Sequence, residues 1–145
     1  MIAIIFLMGL VAGLVAWLLV QGVVHTITIN WQSTVGGSFK QSVKLSGAKE
    51  VDFDFTVAGG VVNQQFSLAL TKAAVQVIYI FCDQNVTIKT NSTSTPQDTI
   101  TITAGNPFLW SAGSGIANPL VGDVTTAYVS NPGSTVGNLT IRCLT

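Results

Sequence analysis

The sequence predicts an all-β protein: an antiparallel β-sandwich or jelly-roll domain, preceded by one hydrophobic N-terminal α-helix of transmembrane type. Three observations carry this reading. Residues 1–20 are apolar without interruption. From His25 onward, apolar and polar residues alternate with the period of half-buried strands. The separators are Gly, Asn and Pro turns, with no amphipathic helix between them. The expected units are a helix over 1–24 and a β-domain over 25–145, which suits a chain of 145 residues.

The helix comes first in the chain. In MIAIIFLMGLVAGLVAWLLV no side chain ionises; the first that can is His25, and the first fully charged one is Lys40. About 20 residues at 1.5 Å rise span ~30 Å, the thickness of a bilayer's hydrocarbon core. Trp17 and Trp31 stand where aromatic belts lie. A cleaved signal peptide would need a basic flank and a small-residue cleavage site. No Lys or Arg precedes the run, and Val20-Gln21-Gly22 is a poor site, so a retained helix is expected. Gly9 and Gly13, and Ala12 and Ala16, are spaced by four and mark a face for close helix packing. The flanks carry no Lys or Arg, so the orientation across a membrane stays open.

The strands follow in order. His25–Trp31 alternates, and Lys40 and Lys44 mark the outer face of the next strand. Glu50–Val57 puts Val51, Phe53, Phe55 and Val57 on one face. Phe66, Leu68 and Leu70 alternate up to a single helical turn at 71–74. Val75–Cys82 is apolar on both parities, as in a central strand buried on both faces. Asn85–Thr90, Thr99–Thr103, Phe108–Trp110, Val124–Ser130 and Leu139–Cys143 complete the set. Val, Ile, Thr and Phe dominate them.

Composition excludes several functions. Lys and Arg total 6, and Asp and Glu total 6, so no basic surface exists for nucleic acid. One histidine and two cysteines exclude a multi-ligand zinc site, and no resident cofactor is expected. No phosphate-cradling loop, HExxH, GxSxG or EF-hand loop is present, so neither catalysis nor a small-molecule substrate is expected. Glu50, Asp52 and Asp54 share one strand face and are expected to pair across strands with Lys40 and Lys44. His25 is read as a polar residue at the membrane exit. Cys82 and Cys143 each end a strand; Cys143 shares parity with Leu139 and Ile141 and is expected to face inward, and Cys82 shares parity with Ile78 and Ile80; a disulfide between them and two separate buried thiols are both open. Among three Asn-x-Ser/Thr triplets, at Asn85, Asn91 and Asn138, Asn91 lies in a polar turn and is the best glycosylation acceptor.

The stretch from Asp83 to Gly105, with Pro107-Phe108-Leu109-Trp110, Asp123-Val124-Thr125 and Leu139-Thr140-Ile141-Arg142, resembles small β-sandwich virion proteins of bacteriophages over about residues 26–145. The proteins it resembles are soluble, so the leading helix is a departure. It implies a virion with an internal membrane, in which a capsid-associated protein is anchored. The architecture is also similar to that of pilins, whose N-terminal helices bundle in a filament core. The expected function is therefore structural and non-enzymatic. The expected partners are a lipid bilayer, copies of the chain itself and other structural proteins. The expected location is a membrane-associated virion or, alternatively, a cell-surface filament.

Overall fold

The computed structural model describes residues 22–32 and 34–145. The leading segment, with Gly9, Ala12, Gly13 and Ala16, lies outside the described residues. Among the described residues no helix is long and apolar enough to cross a membrane.

Among the described residues ten strands form three antiparallel sheets. β1 (Val23–Trp31) and β2 (Phe39–Gly47) make a hairpin by themselves. Of the remaining eight, β3 (Glu50–Val57), β5 (Val77–Cys82), β8 (Phe108–Ser111) and β10 (Gly137–Leu144) form one sheet, in the order β3-β10-β5-β8. The other sheet is β4-β9-β6-β7, from β4 (Gln64–Phe66), β6 (Val86–Thr90), β7 (Thr99–Ile102) and β9 (Ala127–Ser130). Short 3-10 turns occupy Lys72–Ala74 and Ala112–Ser114, the first where a single helical turn is expected.

The pairing is nested. β6 pairs with β7, β5 with β8, β4 with β9 and β3 with β10, each antiparallel. The chain from 50 to 145 is thus one long hairpin whose closed end is the β6–β7 turn. The further pairings β10·β5 and β6·β9 roll that hairpin up. Every connection between successive strands from β3 to β10 crosses between the two sheets except β6–β7.

Period-2 alternation builds the core. Leu139, Ile141 and Cys143 of β10 and Ile78, Ile80 and Cys82 of β5 point inward, and all are buried. They belong to one cluster with Val86, Ile88, Ile102, Ala127 and Val129 of the opposing sheet. Each fully buried Ile or Leu contributes ~1.5–3 kcal/mol relative to exposure. The space left among Leu68, Ile78, Ile88, Leu120 and Ile141 is about 20 Å³. That admits no more than a water, so among these residues the space between the sheets is filled by side chains.

Two parts of the chain differ from expectation. Alternation over 66–71 predicts one strand, yet only Gln64–Phe66 pairs with β9. Leu68 and Leu70 are buried, but Leu70 makes an isolated bridge to Val124. Alternation reports which side chains are buried, and a loop lying over a core satisfies it as well as a ladder does. The second difference is larger. Residues 23–47 stand outside the sandwich as a separate hairpin, so the two-sheet body begins at Glu50 and not at residue 25.

Candidate functional site

The outward face of the β3-β10-β5-β8 sheet gathers the chain's densest charge. On β3, alternation turns Glu50, Asp52 and Asp54 outward, opposite to Val51, Phe53 and Phe55. The register sets Arg142 of β10 directly beside Asp52. Its Nε lies 3.3 Å from Asp52 Oδ1, and its Nη2 donates to Asp54 Oδ2. Nη1 donates to the carbonyls of Phe53 and Ile141 at 3.0 and 3.1 Å. The Thr140 hydroxyl donates to Asp54 Oδ1 at 2.7 Å. The hydrogen bond from Arg142, followed by that from Thr140, holds the Asp54 carboxyl below its ordinary range.

The hairpin meets this face. His25 Nε2 lies 2.9 Å from Glu50 Oε1. Between hairpin and sheet runs an open groove of about 540 Å³, lined by residues that include His25, Ile27, Glu50, Tyr79, Leu109 and Arg142. Beneath the hairpin's base, Val77 and Leu144 face each other in register. They are 3% and 0% exposed, and neither belongs to the core cluster between the sheets. They form a second, small apolar layer under the hairpin. At that base a Cβ on Gly47 would sit 2.6 Å from Thr145 O and 2.7 Å from Leu144 Cγ, so only glycine lets the strands approach there.

The expected charge partners are thus corrected. Glu50, Asp52 and Asp54 meet His25 and Arg142 and not Lys40 and Lys44, because β2 pairs with β1 and not with β3. The cysteine question is resolved by register. Cys82 stands opposite Leu139, whereas Cys143 stands opposite Ile78. The offset is four residues along adjacent strands, ~13 Å, well beyond the ~7 Å a disulfide tolerates. Both thiols are free and buried, and burial pushes the Cys143 thiol up to about 12.

Asn91 is engaged in the fold. It takes φ 62°, a left-handed conformation that asparagine tolerates. Its Oδ1 accepts from the Thr125 N–H at 2.8 Å, and its Nδ2 donates to Asp123 O at 2.8 Å and to Gln97 Oε1. A glycan on that nitrogen would have to displace these bonds. Close by, the buried Asp98 accepts from the Thr90 hydroxyl and the Val121 N–H, each at 2.8 Å. Among the described residues every buried side-chain polar atom has a partner.

These arrangements hold elements in place. A nucleophilic mechanism would need a hydroxyl or thiol bonded to the imidazole. The partner of His25 is Glu50, and both thiols face the opposite side of the sheet. Sequence reasoning missed Arg142 as the organising cation; the clue was its outward parity between inward Ile141 and Cys143.

At the far end of β10, Asp83 accepts from the Asn138 N–H at 2.7 Å and from the Asn138 amide at 2.6 Å. These bonds, the backbone one foremost, hold its carboxyl below the ordinary 3.8. A depressed folded-state pKa gives stabilisation that is full above the unfolded value, about 4. It is lost as pH falls through the folded value. Urea midpoints should therefore drop below about pH 4, and Asp83→Asn should flatten part of that drop. Circular dichroism between pH 2 and 7 measures it; an unchanged acid limb in the variant removes Asp83 from the account.

Compared with protein-family models, curated proteins and solved structures, the chain has no match.

Proposed function

We propose that this chain is a non-enzymatic structural subunit of a virion, anchored by its leading apolar segment in an internal membrane and packing its β-sandwich against capsid neighbours. One observation carries the reading. The nested pairing of eight strands in two four-stranded sheets is jelly-roll connectivity, an architecture shared by viral capsid domains, lectins and cupins. A cupin-type site needs several histidines, and this chain has one, placed on the hairpin outside the sandwich. The filled interior leaves no chamber for a ligand of the usual ~300–1,000 Å³. Charged residues make up 8% of the chain, which minimises repulsion between densely packed copies.

The reading joins that sandwich to the apolar run of residues 1–20. Insertion of such a run is favoured by ~0.3–0.6 kcal/mol for each Leu, Ile, Phe or Val at the helix centre. Assemblies captured from the native source with an antibody to the sandwich, then imaged by electron microscopy, test it. Lipid-containing icosahedral particles are expected, from which a chain lacking residues 1–22 is excluded. Filaments, or normal incorporation of the truncated chain, would overturn the proposal.

A further inference from the structure

We propose that the distal half of the β1–β2 hairpin is a second membrane contact, laying an apolar strip on the phospholipid surface; the inference rests on the membrane-anchored reading above. The register makes the hairpin amphipathic. His25, Ile27 and Ile29 stand opposite Leu45, Val43 and Gln41 on one face. The other face carries Thr26, Thr28 and Asn30 opposite Lys44, Ser42 and Lys40.

The apolar face is used only in part. Near the base His25, Ile27 and Leu45 are half-buried against the sandwich side. Toward the tip Ile29 is 52% exposed and Val43 40%. An apolar strip backed by lysines is the pattern of an element lying in a bilayer interface: the hydrocarbon enters the acyl boundary while the ammonium groups stay among the headgroups. Lys40 and Lys44 are exposed, and the hairpin contains no carboxylate, so an anionic phosphodiester surface attracts it.

Two considerations select lipid over a second copy. The two exposed side chains offer on the order of 150 Å² of apolar surface, against ~800 Å² per partner in a stable protein interface. A lipid contact can be this small when it is tethered, because the tether sets a high effective concentration. The tether is short: the apolar run ends at Val20, and β1 begins at Val23.

The experiment uses the full chain reconstituted in vesicles of phosphatidylcholine and phosphatidylglycerol. Val43→Cys on the apolar face and Ser42→Cys on the polar face are labelled with an environment-sensitive fluorophore. Ile29→Cys serves as a second apolar-face position should Val43→Cys fail to fold. The unsubstituted chain, whose two thiols are buried, gives the labelling background. The label at 43 should shift to the blue and be quenched by doxyl lipid at least twofold more than the label at 42. A chain that floats with the vesicles while both labels report water overturns this inference and leaves the anchoring intact. A label at 43 that is shielded from water but not quenched by lipid means that protein covers the face, which also overturns it. A chain that does not float overturns the anchoring reading, and this inference with it.

Discussion

Asn131→Ala is expected to destabilise the protein by ~3–5 kcal/mol, although the side chain is polar and lies in a loop. Asn131 follows β9 and is 0% exposed. Its Nδ2 donates to Val57 O at 3.2 Å and to Thr135 O at 2.8 Å, and its Oδ1 accepts from the Gly133 N–H at 3.0 Å. Its own N–H donates to Val61 O at 2.9 Å, and the Gly60 N–H donates to Gly133 O at 2.6 Å. The residue thereby joins the loop after β9 to the loop after β3. These loops touch so closely that a Cβ on Gly59 would lie 2.3 Å from Ser134 O. Alanine removes one acceptor and two donors at once: the buried Val57 carbonyl loses its donor, and the part-buried Thr135 carbonyl and Gly133 N–H lose theirs. Each such loss costs ~1–3 kcal/mol, and losses in one network do not simply add. Asn131→Asp keeps the acceptor, loses the donors and adds a buried charge, so it should be no better than alanine at neutral pH. Urea unfolding followed by circular dichroism measures both. A loss under ~1 kcal/mol would mean that the loops hold each other without this side chain.

The sequence shows Asn131-Pro132-Gly133 as a turn, and in this it is right. It cannot show that the asparagine faces inward, because turn chemistry is local while the partners Val57 and Val61 lie some seventy residues earlier. The same limit explains the charges on β3. Glu50, Asp52 and Asp54 are legible as one outward face, since parity is local. Their partner Arg142 comes from a strand that pairs only once the chain has rolled up. The nearest lysines in sequence were the natural choice, and β2 carries them elsewhere. Parity marked Cys143 as inward but not Cys82, whose strand is apolar on both parities, and the distance between them depends on register, which alternation leaves free by any even number of residues.

The both-parity run Val75–Cys82 was legible as a strand buried on two faces, but what covered its second face was not. Alternation over 25–31 says that one face of that strand is sheltered, and a sandwich strand satisfies it as well as a hairpin lying on a sandwich. The two patterns explain each other: the half-apolar hairpin is the cover that the doubly apolar strand needs, and Val77 lies beneath it. The nested connectivity itself was not legible beyond the choice of a sandwich or jelly roll, because turns of similar length permit many strand orders.

Leu144→Ala tests that cover. Leu144 is 0% exposed yet points away from the main core, toward Val77 in register and against the Gly47 backbone. Its truncation removes three carbons and leaves a cavity under the hairpin base, a loss of ~2–4 kcal/mol. Thermal unfolding should fall by roughly 10 °C for a domain of this size. Stability alone would not distinguish this site from any other core position, so the comparison is with Ile141→Ala. Ile141 lies three residues earlier on the same strand, faces inward and is 1% exposed. Both substitutions should lower stability to a similar degree. Only Leu144→Ala should free the hairpin while the sandwich stays folded. The joint it loosens is held by the N–H groups of Ala48 and Lys49 donating to Thr145 O at 2.6 and 2.8 Å. Brief tryptic digestion under native conditions reads this directly. Cleavage after Lys49 should accelerate in Leu144→Ala and remain slow in Ile141→Ala. Equal rates at that bond would mean that the hairpin is held by the His25–Glu50 pair and the backbone joint, and that the apolar layer beneath it contributes little.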